Sequence, residues 1–350
     1  MKFLWTVIVC FLLVSCGRLS SKEGAVEISS SAELSDRIPT FMDKVEVQKF
    51  VVHMKAKHGY DDSLLVNAFN NMTPRVQVIH KSNNQPEVMT PYYKYKARFL
   101  GNARVEAGKD FLKSNKVWLD KAELAFGVPA EVIVAIIGVE TFYGRITGNK
   151  DVLTSLSTLA FDYPRRGNYF RSELEAYLLL ARAKAWPISS IKGSYSGALG
   201  MAQFMPSNYQ KLAIDFDKDG TVDLWGSSAD AIGSIANYLK HHGWQANQPI
   251  LDKVSVLKTR HNSKEIKSWS NKQRKTFHYP STWQKMGVET YATLPKLSSG
   301  LIRLQSSENS VDYWLAYRNF FALMSYNPSR RYTMAVIDLS RLIYDDNGVK

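Results

Sequence analysis

A mainly α-helical chain with a smaller β-rich segment is what the sequence predicts. Three observations carry this. Apolar residues recur at helical spacing from about Ile38 to Trp244. Short β-branched runs separated by turn residues occupy about 250–310. Helical spacing then resumes towards the C-terminus. With 350 residues, 45% of them hydrophobic, the chain can bury a sizeable core in one large or two to three smaller domains. No self-similarity at a period of 20–50 residues is present, which excludes a solenoid.

The chain opens with "MKFLWTVIVCFLLVSCG": Lys2, an apolar run from Phe3 to Val14, then Ser15, Cys16 and Gly17. The run is too short for a permanent membrane span and reads as a signal peptide over residues 1–15. An N-terminal anchor helix is the alternative. "LVSC" resembles the bacterial lipobox, in which cleavage precedes the cysteine and lipid is attached to it, so Cys16 would become the first residue of the mature chain. The other cysteine, Cys10, leaves with the signal peptide, and the mature chain then has neither free thiol nor disulfide, as suits an oxidising envelope. Serine-rich residues 16–37 read as a flexible tether.

Helical spacing follows in "IPTFMDKVEVQKFVVHMKAKHG", closed by Gly59, and in "DDSLLVNAFNNM", opened by an aspartate cap. "PRVQVIHK", near 74–81, hints at strand periodicity. Helices are expected through "TPYYKYKARFLG", "NARVEAGKDFLKSNKVWLDKAELAFG" and "PAEVIVAIIGVETFYG". Residues 145–193 read as loops plus one helix in "YFRSELEAYLLLARAKAW". A further helix is expected in "ADAIGSIANYLKHHGW". "ILDKVSVLKTR", "KTFHY", "ETYATL" and "GLIRLQ" suggest the β-rich lobe, and "YRNFFALMSYNPSRRYTMAVIDLSRLIYD" returns to helix.

The helix that "PAEVIVAIIGVETFYG" predicts ends in an acid. Pro129 belongs to its first turn and Gly144 supplies a stop. Glu140 lies three and four residues after Ile137 and Ile136, on their face. Apolar neighbours and the negative end of the helix dipole both disfavour a charged carboxylate there. A carboxyl that keeps its proton near neutral pH is what a general acid for glycoside cleavage requires. A helix-end glutamate pointing to water is the alternative on this stretch alone.

The surroundings favour the first reading. "GVETFYGRITG", "TLAFDYPRR", "YFRSEL", "GSYSGALGMAQFMPSNY" and "SYNPSRRYTMAV" occur in this order. From about residue 38 to the C-terminus the chain resembles the family-3 lytic transglycosylases, the membrane-bound B-type murein enzymes. The resemblance implies a lysozyme-like helical core with an additional helical domain and a small β-rich domain. It implies cleavage of the β-1,4 bond between N-acetylmuramic acid and N-acetylglucosamine, with release of a 1,6-anhydromuramoyl product. It places the catalytic role on Glu140, in "VET". Mapped onto the chain, the segments are a helical domain over 38–125, the lysozyme-like core over 126–248, a β-rich domain over 249–310, and C-terminal helices over 311–350 that complete the core.

Ordinary glycosidases use two carboxylates that flank the bond. Here one is expected to serve twice: Glu140 protonates the glycosidic oxygen, then takes the proton of the muramoyl C6 hydroxyl as it closes on C1. Asp151 and Asp162 lie nearby in sequence and read as turn or capping residues. Ser194 and Gln203 can both donate and accept hydrogen bonds, among small residues that let a glycan approach the backbone. By resemblance they match the cleft-lining serine and glutamine of the family. Tyrosine suits stacking on a pyranose. The resemblance selects Tyr95, Tyr238, Tyr326 and Tyr332, with Asn327 beside them, and Tyr92 and Tyr93 compete with Tyr95.

"DFDKDGTVDLWGSSAD" begins as the first half of an EF-hand loop. Asp215, Asp217 and Asp219 stand at positions 1, 3 and 5, Gly220 at the turn, and Thr221 would offer its carbonyl at position 7. Position 12 is Gly226, where a bidentate glutamate belongs. The family's lengthened loop ends in an aspartate, which selects Asp230. Hard oxygen donors favour a structural Ca²⁺. A solvated Asp-rich turn is the alternative.

The formal net charge is +13, and loss of residues 1–15 removes one lysine and no acid, leaving +12. A basic chain suits anionic partners such as an acidic polymer or a membrane surface. No run of five or six like charges is present, so nucleic acid is not the expected partner. The expected partners are peptidoglycan strands and, through Cys16, a membrane, with cell-wall synthesis proteins as candidates. The expected location is the cell envelope, at the outer membrane facing the periplasm. No organic cofactor is expected. A peptidoglycan-binding lipoprotein without catalysis and a lysozyme-type hydrolase are the competing functions, and only the product's end group separates the latter from a transglycosylase.

Overall fold

The computed structural model describes residues 38–344 apart from 85–88, 257–262, 272–277 and 291–294, so Cys16, the signal peptide and the tether lie outside the described residues. The helix Val45–His58 buries Val47, Phe50, Val51 and Met54 along one stripe and stops at Gly59, whose φ is +57°. Asp61 caps the helix Asp62–Asn70 by accepting the Ser63 amide. The segment read as strand-like is helical from Val76 to Asn83, with Val78 its buried residue. Its alternation of Val and Ile spans too few residues to separate the two periods. Helices Tyr92–Lys96, Asn102–Ser114 and Lys116–Phe126 follow.

The helix Ala130–Thr141 is buried from Val132 to Val139. Pro129 is its N-cap rather than a residue of its first turn, and the helix ends at Thr141, three residues before the expected glycine stop. It packs on the C-terminal helix Arg330–Tyr344 and on Asn102–Ser114. A helix over Val152–Asp162 stands where only a loop is expected. Asp151 caps it, with Oδ1 accepting the Thr154 amide at 2.7 Å. Every residue from Val152 to Ala160 is buried, including Thr154, Ser155, Ser157 and Thr158, although Val152, Leu153, Leu156, Leu159 and Ala160 recur at helical spacing. It packs against Gly167–Ala183. Helices Pro206–Leu212 and Ser228–His241 flank the acidic loop.

Strands β1 (Lys150–Asp151) and β2 (Lys192–Gly193) form a two-residue antiparallel ladder. The larger sheet contains β3 (Leu251–Val256), β4 (Val288–Thr290), β5 (Gly300–Gln305) and β6 (Val311–Ala316), antiparallel in the order β4-β3-β6-β5. It therefore runs past the expected end at residue 310. Both faces are covered. Leu301, Tyr313 and Leu315 join a small cluster with Ile266 and Trp283, while Ile302, Leu304, Trp314 and Ala316 face the main core. This accounts for the near-continuous apolar run in β6. The helices Arg318–Tyr326 and Arg330–Tyr344 close the chain back onto the main core. Among the described residues no single helix is long and apolar enough to cross a membrane.

Candidate active site

Glu140 occupies the last turn of its helix because the chain reverses directly after it. Phe142, Tyr143 and Gly144 take φ values of +51°, +60° and +83°. The first two are costly for non-glycine residues, at about 1–2 kcal/mol each. Tyr143 offsets this by folding back into the core. Its ring lies against Gly138, where an added Cβ would come within 2.6 Å of the hydroxyl, and that hydroxyl donates to the Arg104 carbonyl at 2.9 Å. Thr141 Oγ1 accepts the Gly144 amide at 3.0 Å and lies 3.2 Å from the Met201 carbonyl. The aromatic pair and the glycine after Glu140 are thus the turn that leaves the carboxylate at the edge of the core.

That edge is a cleft of about 600 Å³. Among the described residues that line it, Glu140 is the only carboxylate. Ser194, Gln203, Tyr326 and Asn327 line it too. Tyr332, buried on the facing helix Arg330–Tyr344, donates its hydroxyl to Glu140 Oε1 at 2.6 Å. Burial and the charge of Glu140 hold the Tyr332 and Tyr326 hydroxyls well above the ordinary tyrosine range, so both remain neutral donors. The Tyr326 hydroxyl donates to the Ala202 carbonyl. Tyr238 stands behind it, edge-to-face at 4.8 Å, and donates to the Ser325 carbonyl at 2.8 Å. Tyr95 is also buried, with its ring 5.1 Å from Phe99. Tyr95, Tyr238 and Tyr332 are therefore not cleft-lining faces. They pack behind the residues that are.

Gln203 adopts φ +49° and its Nε2 donates to the Thr147 and Gly200 carbonyls at 3.0 and 2.9 Å. Ser194 Oγ accepts the Ala198 amide at 3.0 Å, so it braces its own turn while lining the cleft. Asp162 is held by Lys44, and neither it nor Asp151 lines the cleft. Sequence reasoning missed Arg165, Arg166, Tyr169, Phe170 and Tyr195, which also line the cleft. Arg166 lies over the Tyr169 ring at 4.3 Å. The first four sit in the "DYPRR" and "YFRSEL" stretches, which marked the neighbourhood without showing which side chains face inward.

The serine wall rests on backbone contact. A Cβ on Gly148 would lie 2.1 Å from the Gly193 carbonyl oxygen and 2.6 Å from the Ser194 nitrogen, and its φ is +101°. Gly148→Ala is expected to destabilise the fold by about 1–3 kcal/mol and to lower activity through displacement of Ser194. Urea unfolding alongside a turnover assay checks both.

The acidic loop gathers part of its expected ligand set. Asp215, Asp217 and Asp230 each bring one carboxylate oxygen within 4.8 Å of the other two. Asp230 is 1% exposed; its Oδ1 accepts the Phe216 amide at 2.7 Å and its Oδ2 the Asp223 amide at 2.8 Å. Burial raises its carboxyl above the ordinary range. Asp219 Oδ1 instead accepts the amide and hydroxyl of Thr221, both at 2.8 Å. Asp223, at position 9, also lines this loop and was not foreseen. An all-oxygen donor set around a buried carboxylate fits a hard divalent cation.

A helical fold whose cleft holds, among its described residues, a single glutamate at a helix end points to a lysozyme-like glycan-cleaving class, and residues 43–341 match the family described as the transglycosylase SLT domain. The chain belongs to that family. It is 33% identical, over 87% of its length and 84% of the relative's, to membrane-bound lytic murein transglycosylase B of Escherichia coli (strain K12). Two solved structures are similar. The soluble lytic transglycosylase SltB1 of Pseudomonas aeruginosa is 34% identical with a TM-score of 0.78, covering 87% of this chain and 100% of that one. The Escherichia coli lytic transglycosylase SLT35 in complex with calcium is 33% identical with a TM-score of 0.76, covering 87% and 94%.

Proposed function

We propose that this chain is a lytic transglycosylase of peptidoglycan, cleaving between N-acetylmuramic acid and N-acetylglucosamine to leave a 1,6-anhydromuramoyl end. The observation that carries this reading is that Glu140 is the only carboxylate among the described residues of the cleft. A retaining or inverting hydrolase needs a second acid across the bond. With one, Glu140 delivers its proton to the glycosidic oxygen and, as carboxylate, receives the proton of the C6 hydroxyl that closes on C1. Tyr332 holds the carboxyl through Oε1 during both steps. Ser194, Gln203 and Asn327 offer polar contacts to the sugar, and Arg165 and Arg166 bring positive charge to an acidic polymer. Mass spectrometry of products from purified sacculi tests the reaction: an anhydro end supports it, and reducing-end products alone assign the chain to the hydrolases.

In this reading the acidic loop holds a structural Ca²⁺ through Asp215, Asp217 and Asp230, with Asp219 and Thr221 completing the shell. The cation would tie the helix Pro206–Leu212, which follows Gln203, to the helix Ser228–His241 that carries Tyr238. Lipid on Cys16 would anchor the enzyme at the envelope, with residues 17–37 as tether. Cys16→Ala is expected to abolish acyl labelling and block signal-peptide cleavage, while a fragment starting at about residue 35 keeps its activity. Acyl labelling that survives in Cys16→Ala would overturn the anchor.

A further inference from the structure

Three donor side chains converge away from the cleft. His53 and His58 belong to the helix Val45–His58, and Glu175 to the helix Gly167–Ala183. His53 Nε2 lies 3.2 Å from Glu175 Oε2, and His58 Nε2 lies 2.8 Å from Oε1 of the same carboxylate. One ligand atom from each residue falls within 4.8 Å of the other two. The imidazoles meet edge to face, at 82° and 6.2 Å, so they approach the carboxylate from different directions. His53 is oriented by stacking on Phe50 at 27°.

We propose that His53, His58 and Glu175 form a binding site for a zinc-like transition-metal ion that staples the first long helix to the helix forming one wall of the cleft. Tetrahedral Zn²⁺ holds nitrogen and oxygen donors at about 2.0–2.1 Å, which sets neighbouring donors about 3.3 Å apart. The two nitrogen–oxygen contacts, 3.2 Å to Oε2 and 2.8 Å to Oε1, are shorter than that spacing, and the three ligand atoms taken one per residue lie within 4.8 Å of one another. Two nitrogens and one oxygen select the zinc class over calcium, whose all-oxygen set lies in the acidic loop. His53 and Glu175 line a cavity of about 390 Å³ together with Glu46, Lys49, Phe50, Arg171 and Ser172, which leaves room for a water as fourth ligand, while His58 stands outside that lining.

The carboxylate already gathers nitrogen partners, His53 on Oε2 and His58 and Lys57 on Oε1. Lys57 Nζ, 3.0 Å from Oε1, is the competing cation, and its side chain is 56% exposed, free to swing into solvent. The same helix presents Tyr169 and Phe170 to the cleft from its first turn. Metal here therefore couples the docking of the first helix to the position of the cleft wall.

The test is calorimetric titration of the full-length chain with Zn²⁺ in saturating Ca²⁺, so that the acidic loop is already filled. One equivalent should bind and raise the melting temperature. His58→Ala should weaken binding by more than the about 10–100-fold that loss of an outer-shell partner costs. Co²⁺ should give the intense visible bands of a tetrahedral site in wild type only. Should His58→Ala fail to fold, His53→Gln, at a residue whose side chain is 45% exposed, reads the same loss. Absence of a zinc equivalent in wild type, or wild-type affinity in a folded His variant, overturns the site.

Discussion

Glu140→Gln is expected to lower the release of anhydromuropeptides by at least about 10⁴, the upper end of what general acid–base catalysis supplies. The amide keeps the volume of the side chain, and its oxygen can still accept the Tyr332 hydroxyl that now lies 2.6 Å from Oε1. Folding and glycan binding should therefore survive. What is lost is the proton, and in the proposed mechanism it is lost twice, because there one group serves both halves of the reaction. No other carboxylate among the described cleft residues can substitute. Rates by mass spectrometry, on protein shown to be folded by circular dichroism, decide the matter. A folded variant that retains more than about one hundredth of the wild-type rate would falsify the single-acid mechanism.

The second large effect is expected on stability. In Asp230→Ala the amides of Phe216 and Asp223 lose their acceptor within a part-buried loop. At about 1–3 kcal/mol for each orphaned group, the loss is about 2–6 kcal/mol before any metal is counted. Burial raises the carboxyl of Asp230, so a bound cation relieves a cost the folded state otherwise carries. A ligand at a hundredfold excess over its Kd adds about 2.7 kcal/mol to the folded state. Chelator should thus lower the melting temperature of wild type and leave that of Asp230→Ala almost unchanged. Equal shifts in the two proteins would show that the loop binds no calcium. Asp217→Ala separates the contributions: its carboxylate accepts the Ser227 hydroxyl and the Asp219 amide, so the intrinsic loss should be smaller while the calcium response also disappears.

Much of the site was legible along the chain because its signals are local. An apolar helix ending in an acid needs one helical period to be seen, and Glu140 stands where that period places it. The aspartate cap at Asp61 and the spacing of Asp215 and Asp217 are likewise written within a few residues. The helix Val152–Asp162 was less legible. Its apolar residues 152, 153, 156, 159 and 160 do keep a helical spacing, but it spans 11 residues and its serines and threonines, which also favour turns and caps, are buried by packing that the sequence does not record.

Sequence by itself determined the helical class, the β-rich segment, the acid at the helix end and most of the acidic loop. Tertiary structure alone decided which tyrosines line the cleft and which stand behind it. Tyr332 meets Glu140 across 192 residues only because the helices that carry them pack face to face. Tyr326 reaches the cleft while Tyr238 and Tyr95 do not, although one motif resemblance singled out all three. His53 and His58 find Glu175 only when two helices more than a hundred residues apart come together. The physical reason is common to these cases. Backbone periodicity assigns a side chain to a face of its own element, but what that face meets is set by packing between elements, which no local spacing records.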